Sequence, residues 1–325
     1  MCTAVSVNMG SHFFGRNLDL EYSLGERVIV TPRKYPFRFR CHKEIKEHYS
    51  IIGMGIVEDD FPLYYEGTNE KGLSVAALRF PEAEYCSEKP DTDNIASFEL
   101  IPWLLCQCKS VRECMPFLLR INITDVPFSK KHPPSPLHWL VADECEAIVI
   151  ECGDGEVRVY ENRAAVLTNS PAFPFQIFNL NNYMYLSEST PENSLSDSVE
   201  LKAYSRGMGA MGLPGDMSSM SRFVRSFFIK EKLTAEKECG KNIAQFFHLL
   251  DFVSQKKGAV KLPDGKEQYT VYSCCCDTAK GVYYYRTYYD SLLRSVSLRK
   301  ESTDGKKLIS YPVDDAFSIR ERSEG

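Results

Sequence analysis

The sequence predicts an α+β fold built in layers, and three observations support this. Strand-like segments such as CTAVSV, RVIVTPR and GLSVAALRFP come first, helical segments follow between Ala96 and Ile121, and strands return from Leu137. No regular alternation of strand and helix runs along the chain, which disfavours a doubly wound parallel sheet. With 325 residues and 43% hydrophobic side chains, the chain can bury a large core.

The chain begins with a predicted β-hairpin. CTAVSV and HFFGR are β-rich and flank NMGS at positions 8–11, which is typical of a turn. If Asn8 pairs with Ser11, the same register places Thr3 opposite Arg16. We therefore expect the Arg16 guanidinium beside the second residue of the chain.

The later segments predict two helices, a second sheet and two further helices. SVRE at 110–113 fits a capping box and begins the second helix. A second sheet is predicted from Leu137 onward, where four strand-like segments follow one another: LHWLVAD, EAIVIEC, EVRVYEN and AAVLTN. Two later segments have the apolar spacing of amphipathic helices, SRFVRSFFIK from Ser221 and NIAQFFHLLDFV from Asn242. The segment YTVYSCCC that follows is again strand-like. We expect a single domain over residues 1–325.

Charge and hydropathy argue against two classes of partner. Lys and Arg number 39 against 44 Asp and Glu, and the net charge of -5 disfavours a nucleic-acid surface. No apolar run is long enough to span a membrane, and MCTAVSVNMG lacks the basic and apolar segments of a signal peptide. The sequence therefore predicts a cytoplasmic protein with neither a nucleic-acid nor a membrane partner.

Twelve cysteines are many for such a chain, and a reducing compartment would keep them as thiols. Their spacing does not fit a zinc site. Cys106 and Cys108 lie in a helical run and the three cysteines at 274–276 lie in a strand-like run, and in both cases neighbouring side chains point to different faces. The Gly-rich stretches lack a dinucleotide fingerprint, so we expect no metal and no other cofactor. Among the histidines, we expect His138 to be structural and His248 to be packed within an apolar helix.

Cys2 is the exception, because removal of Met1 would make it the terminal residue. An initiator methionine is generally trimmed when the second residue is small. An α-amine titrates at about 7.7–8.0, so the freed amine can accept the proton of the adjacent thiol. One residue then supplies both nucleophile and base. The alternative is an ordinary cysteine on an edge strand.

Several blocks in order resemble the choloylglycine hydrolase family, N-terminal-nucleophile amidases that include bile salt hydrolases and penicillin V acylases. The blocks are MCT, FGRNLDLEYS from Phe14, NEKGLSVAALRFP from Asn69, LHW from Leu137, VLTNSP from Val166, GLPGD and then SRF from Gly212, and the QYT to YYY region. The resemblance covers nearly the whole chain. It implies a four-layer αββα sandwich of the N-terminal nucleophile hydrolase type.

The resemblance also implies roles for five residues. Cys2 matches the nucleophile, Arg16 and Asp19 match the pair that positions and polarises it, and Asn169 matches an oxyanion-hole donor. Arg222 matches a second active-site arginine. An amide such as that of Asn169 can stabilise the oxyanion that forms when an amide carbonyl is attacked.

The implied substrate is a conjugated bile acid, held in an apolar acyl pocket. The pocket residues that the resemblance implies are Leu18, Tyr65, Phe128 and Leu137, with Phe61 and Tyr22 in nearby segments. Family members also suggest a homotetramer.

Arg79 departs from the family pattern, because bile salt hydrolases often have asparagine at this position. An arginine could donate to an oxyanion, pair with a substrate carboxylate, or lie on the sheet toward solvent. Substrate preference therefore stays open. The alternatives are a penicillin V acylase with the same chemistry and a catalytically silent binding protein of the same fold.

Overall fold

The computed structural model describes residues 1–319, and about half of these residues lie in short, regular elements. The strands, in chain order, are β1 (Cys2–Asn8), β2 (His12–Leu20), β3 (Arg27–Thr31), β4 (Ile51–Glu58), β5 (Phe61–Asn69), β6 (Ser74–Arg79), β7 (Asp93–Ala96), β8 (Ile121–Thr124), β9 (Leu137–Ala142), β10 (Ala147–Gly153), β11 (Glu156–Glu161), β12 (Val166–Leu167), β13 (Tyr269–Asp277), β14 (Val282–Thr287), β15 (Arg294–Ser297) and β16 (Ile309–Pro312). The helices are α1 (Leu100–Gln107), α2 (Val111–Leu118), α3 (Phe173–Asn179), α4 (Ser219–Lys232) and α5 (Cys239–Phe252). Short 3-10 turns lie at Ser97–Glu99, Leu180–Tyr183, Met208–Ala210 and Leu298–Lys300.

Two antiparallel sheets form the centre. The first has the order β12-β1-β2-β13-β14-β15, and the second has the order β11-β10-β9-β6-β5-β4-β3-β16. The expectation that the strands from Leu137 form a sheet of their own is wrong. Strands β9 to β11 extend the sheet of β3 to β6, with Ala77 of β6 opposite Trp139 of β9, and β12 alone joins β1. Apolar faces select strand partners across long stretches of chain, so order in the sequence does not reveal them.

Helices cover the outer face of each sheet, and the layered prediction is confirmed. Helices α4 and α5 pack on β1, β2 and β13 of the first sheet through Phe223 and Phe246, while α1 packs on β4 to β6 of the second sheet through Trp103. Strands β1 and β2 contact β6 face to face, so the interior of both sheets is shared. Because both faces are covered, β1, β2 and β13 are buried along nearly their whole length.

The start of α2 follows the predicted capping chemistry. Ser110 caps α2 and accepts a hydrogen bond from the Glu113 amide at 3.3 Å, as the capping motif predicted. The two predicted amphipathic helices are present as α4 and α5, each beginning a few residues earlier than predicted.

The expectation that His248 is packed within an apolar helix is wrong, since its side chain on α5 is 79% exposed. In an amphipathic helix, that position falls on the solvent face.

Within residues 1–319, every helix is too short or too polar to cross a lipid bilayer.

Candidate active site

The β1–β2 hairpin brings Cys2 beside Arg16, although in a register one residue away from the predicted one. Asn8 pairs with His12, not Ser11, so Ala4 rather than Thr3 lies opposite Arg16. The turn has three residues, and Gly10 within it has a φ of 70°, which suits glycine. Since alternate residues share a face, Cys2 and Arg16 lie diagonally on one face of the hairpin.

Arg16 is buried between the two sheets. Its Nη1 donates to the carbonyl oxygens of Tyr65 at 3.0 Å and Ala77 at 2.6 Å, which lie on β5 and β6 of the second sheet. Burial alone would lower the pKa of Arg16, but the neighbouring acidic groups of Cys2, Tyr272 and Glu66 raise it overall. A permanent positive charge therefore lies beside the Cys2 thiol.

Asp19 holds the start of the chain through its main chain. The Met1 amine donates to the Asp19 carbonyl at 2.9 Å, and the Asp19 amide donates to the Met1 carbonyl at 3.0 Å. Its carboxylate accepts a hydrogen bond from the Thr270 hydroxyl at 2.6 Å, and the second carboxylate oxygen has no partner among residues 1–319. Burial raises the pKa of Asp19, and Arg222 is the largest of the charges that oppose this rise.

Asn169 and Arg222 hold the main chain of Cys2. The Cys2 nitrogen donates to Oδ1 of Asn169 at 2.8 Å, and Arg222 donates to the same oxygen at 2.8 Å. Nη1 of Arg222 also donates to the Cys2 carbonyl and to the Thr3 hydroxyl. The amide nitrogen of Asn169 donates one proton to the Arg79 carbonyl at 2.7 Å, which leaves its second proton for another acceptor.

Residues 2–311 match the family described as linear amide C–N hydrolases, choloylglycine hydrolase family. The chain belongs to this family. It is 52% identical over 315 residues, 96% of this chain and 97% of the other, to a bile salt hydrolase/transferase of Lactiplantibacillus plantarum. The crystal structure of a mutant of conjugated bile acid hydrolase from Clostridium perfringens has a TM-score of 0.92 at 34% identity, covering 99% of this chain and 100% of that one.

A penicillin V acylase from Agrobacterium tumefaciens shares the fold. Its structure has a TM-score of 0.73 at 19% identity and covers 95% of this chain and 90% of that one. Both solved structures agree with the αββα layers described above. The choloylglycine hydrolase assignment therefore fits the sequence match and the architecture together.

Cys2 lies at the wall of a cavity of about 640 Å³ between the first and second sheets. The cavity is lined mainly by apolar side chains. Arg79 lines it, and so do all four pocket residues that the family resemblance implied: Leu18, Tyr65, Phe128 and Leu137. Phe61 instead lies behind Phe128, with ring centroids 5.8 Å apart, and Tyr22 is 57% exposed outside the cavity.

Several lining residues were not identified from the sequence. Leu20 and Leu24 follow Leu18 along the same stretch, and alternation on β2 would have found the first of them. The segment Pro133 to Pro136 also lines the cavity, and nothing in its sequence points there. At the rim, Glu58 forms an ion pair with Lys131 at 3.3 Å.

Arg79 is exposed at the end of β6, opposite Leu137 in the sheet register. Its main-chain carbonyl accepts from Asn169, which in turn binds Cys2, so the residue lies two hydrogen bonds from the nucleophile. Among residues 1–319, its guanidinium has no carboxylate partner within salt-bridge distance.

His138 is confirmed as a structural histidine. Buried in β9, it contacts a Glu151 carboxylate oxygen at 3.0 Å and the Thr168 carbonyl at 2.9 Å, which supports the chain just before Asn169. All twelve cysteines are free thiols. In residues 1–319, no cluster of three or more His, Cys, Asp or Glu side chains is arranged to hold a metal ion.

Proposed function

We propose that this choloylglycine hydrolase cleaves the amide bond of glycine- and taurine-conjugated bile acids through a thioester on Cys2. The observation that carries the proposal is the position of Cys2, at the wall of an apolar cavity of about 640 Å³ and beside the buried cation of Arg16. A cavity of that size and lining suits a large, rigid apolar acyl group. The two relatives with bile acid names support the same substrate class.

Before catalysis, removal of Met1 leaves a free amine on Cys2. That amine takes the thiol proton as the sulfur attacks the carbonyl carbon of the amide. The proton then passes to the leaving nitrogen as the carbon–nitrogen bond breaks, which releases glycine or taurine and leaves a thioester. The amine, now neutral, takes a proton from water as the water oxygen attacks the thioester carbonyl. It gives that proton to the sulfur as the carbon–sulfur bond breaks, so the bile acid leaves and the thiol is restored.

Burial supports the amine as a base near neutral pH. In the chain with Met1 present, burial lowers the pKa of the Met1 amine, and Cys2 lies deeper than Met1. An amine at Cys2 would keep its 2.8 Å contact with Oδ1 of Asn169 by donating one proton, and this fixes its direction. A neutral, oriented amine is what general-base catalysis needs.

Four residues position this chemistry in our proposal. Arg16 presents its positive charge to Cys2, and Arg222 fixes the Cys2 carbonyl and the Asn169 side chain. The Asp19 carboxylate, with one oxygen unpartnered among residues 1–319, would hold the amine that Cys2 gains when Met1 is lost. The second amide proton of Asn169 would donate to the developing oxyanion. Leu18, Tyr65, Phe128 and Leu137 would contact the steroid rings, and Arg79 the carboxylate or sulfonate of the conjugate.

We further propose a cytoplasmic homotetramer with one domain over residues 1–325. Twelve unpaired thiols suit a reducing compartment. Between residues 175 and 211 an unusual number of large apolar side chains are exposed, which favours burial of this segment in a subunit contact. They include Phe175, Phe178, Met184, Tyr185 and Tyr204.

Intact mass spectrometry before and after brief incubation with glycocholate and with penicillin V tests the function. We expect loss of Met1, a mass increase matching a choloyl thioester, and release of glycine. Cys2→Ala should remove the adduct and the turnover, whereas Cys145→Ala, at an exposed cysteine outside the cavity, should keep both.

Other outcomes would each contradict the proposal in a defined way. Cleavage of penicillin V alone would identify a penicillin V acylase and would show that the cavity selects a flatter acyl group. Retention of Met1 without cleavage of either substrate would support a silent binding protein. Full activity of Cys2→Ala would exclude the thioester mechanism.

A further inference from the structure

A buried carboxylate lies behind Arg16 and takes no part in the reaction proposed above. Glu66 of β5 accepts hydrogen bonds from the hydroxyls of Tyr272 at 2.7 Å and Tyr283 at 2.5 Å, and the Cys274 thiol lies 3.5 Å from it. Its Oε2 is 3.7 Å from Nη1 of Arg16. All four partners belong to β2, β13 and β14 of the first sheet, while Glu66 belongs to the second.

The surroundings fit an ionised carboxylate. Burial raises the pKa values of Tyr272, Tyr283 and Cys274, so these groups stay protonated and donate. Burial also raises the pKa of Glu66. The positive charge of Arg16 and the three hydrogen bonds act in the opposite direction and lower it. A neutral carboxyl group would need an acceptor for its proton, yet each of these neighbours donates to Glu66 or carries positive charge.

Glu66 fixes Arg16 from the second sheet. The same Nη1 that faces Glu66 donates to the carbonyl of Tyr65, the preceding residue, and to that of Ala77. Arg16 is fully buried, and a buried cation needs a compensating anion. Within residues 1–319, Glu66 is the carboxylate within 4 Å of this guanidinium.

We propose that Glu66 is a positioning residue, whose carboxylate holds the Arg16 guanidinium in place and balances the charge that Arg16 presents to Cys2. The inference rests on the proposed function in one respect, since it takes Cys2 as the nucleophile. Glu66 does not line the cavity, so it acts through Arg16 and not through substrate.

The sign of the effect follows from charge. The charged groups that interact with Cys2 are the Met1 amine, Arg16 and Arg222, and Asp19 in turn interacts with all three. If Glu66 becomes neutral, the positive charge of Arg16 is no longer offset, and a thiolate is favoured more strongly. Such a thiolate is less nucleophilic, and a mobile Arg16 positions it less well.

The test combines Glu66→Gln, which removes the charge at nearly constant volume, with Glu66→Asp, which keeps it. The first readout is the rate of Cys2 alkylation by iodoacetamide across pH, followed by mass spectrometry of the N-terminal peptide. The second is kcat and KM for glycocholate. In Glu66→Gln we expect the alkylation midpoint to move to lower pH and kcat to fall about 10- to 100-fold, with KM changed less than about twofold. Glu66→Asp should restore the midpoint.

Glu99→Gln is the matched control, because it also removes a buried carboxylate, one that binds the main-chain amides of Arg40 and Ala96. Its alkylation midpoint should equal that of the unaltered protein. An unchanged midpoint in Glu66→Gln, or a Glu66→Asp variant that behaves like it, would overturn the inference. Absence of bile salt cleavage by the unaltered protein would instead overturn the proposed function, and the alkylation midpoints would still test Glu66.

Discussion

Arg222 and Asn169 are joined by a hydrogen bond of 2.8 Å, and both also bind the main chain of Cys2. Arg222 comes from α4, Asn169 follows β12, and Cys2 begins β1. Three segments far apart in the sequence therefore meet at the nucleophile. Because both ends of the guanidinium are used, its planar shape matters as well as its charge.

Arg222→Lys should lower kcat/KM for glycocholate by about 100-fold. Lysine keeps the positive charge but offers a single nitrogen, which cannot bind the Cys2 carbonyl and Asn169 at the same time. Steady-state kinetics of the purified variant measures the change. Arg225→Lys is the control on the same helix, since its guanidinium binds the carbonyls of Pro214 and Asp216 and not Cys2. Equal losses in the two variants would contradict the role of Arg222.

Arg79→Ala should raise KM for glycocholate and taurocholate about 5- to 10-fold. Arg79 is among the residues that line the cavity, and no carboxylate of residues 1–319 lies within salt-bridge distance of its guanidinium, so we expect it to pair with the anionic end of a conjugate. A cholate amide with an uncharged amine portion is the matched substrate, and its KM should not change. If the KM values rise equally for charged and uncharged amides, Arg79 does not bind the anionic group of the substrate.

Family blocks and strand alternation predicted much of the site. The blocks pointed to Cys2 and Arg16, because each block is a local signal. On the cavity wall they contain Leu18, Arg79 and Leu137, whereas Tyr65 and Phe128 lie outside the blocks and were implied by the wider family resemblance. Alternation placed Arg16 near Cys2, but the register was one residue off because the turn has three residues and not two. Turn length depends on backbone geometry that the sequence NMGS does not specify.

Contacts between distant segments could not be predicted in the same way. The hydrogen bond from Asn169 to the carbonyl of Arg79 depends on the packing of the two sheets. Because every residue has a main-chain carbonyl, the sequence does not indicate which one accepts this hydrogen bond. Glu66 did leave a signal, since a glutamate within the apolar run FPLYYEGTN would be costly to bury without partners. Its partners on β13 and β14 become evident only when the sheets are assembled.

Gly15→Ala should destabilise the fold by about 3 kcal/mol or more. A Cβ at this position in β2 would lie 2.0 Å from the Cys274 carbonyl oxygen and 2.9 Å from the Cα of Cys275, both backbone atoms of β13. Urea unfolding followed by circular dichroism measures the change. Gly240→Ala is the control, because Gly240 lies in α5 and a Cβ there would meet no atom within 4 Å beyond the neighbouring backbone of the helix itself, so it should stabilise by about 0.5–1 kcal/mol. Equal stability of the two variants would contradict the predicted clash.

His12 should make the folded protein less stable as pH falls below 6.5. Burial lowers its pKa to about 4, against the opposing charges of Asp143 and Asp277, and its ring contacts the hydroxyls of Ser6 at 2.7 Å and Thr278 at 2.8 Å. Between pH 6.5 and 4 the unfolded chain binds a proton at this histidine and the folded chain does not. The free energy of unfolding should therefore fall with decreasing pH, by at most about 3 kcal/mol.

Urea unfolding of His12→Gln between pH 4 and pH 7.5 isolates this effect, since the variant should lose that part of the pH dependence. Glu99 works in the opposite direction, because burial raises its pKa to about 7 and its protonation favours the folded state as pH falls from 7 to 4.5. Glu99→Gln should accordingly make the decline at low pH steeper than in the unaltered protein, while His12→Gln makes it shallower. Parallel pH profiles for His12→Gln and the unaltered protein would mean that His12 titrates alike in the folded and unfolded chains, and burial of its ring would then have no energetic consequence.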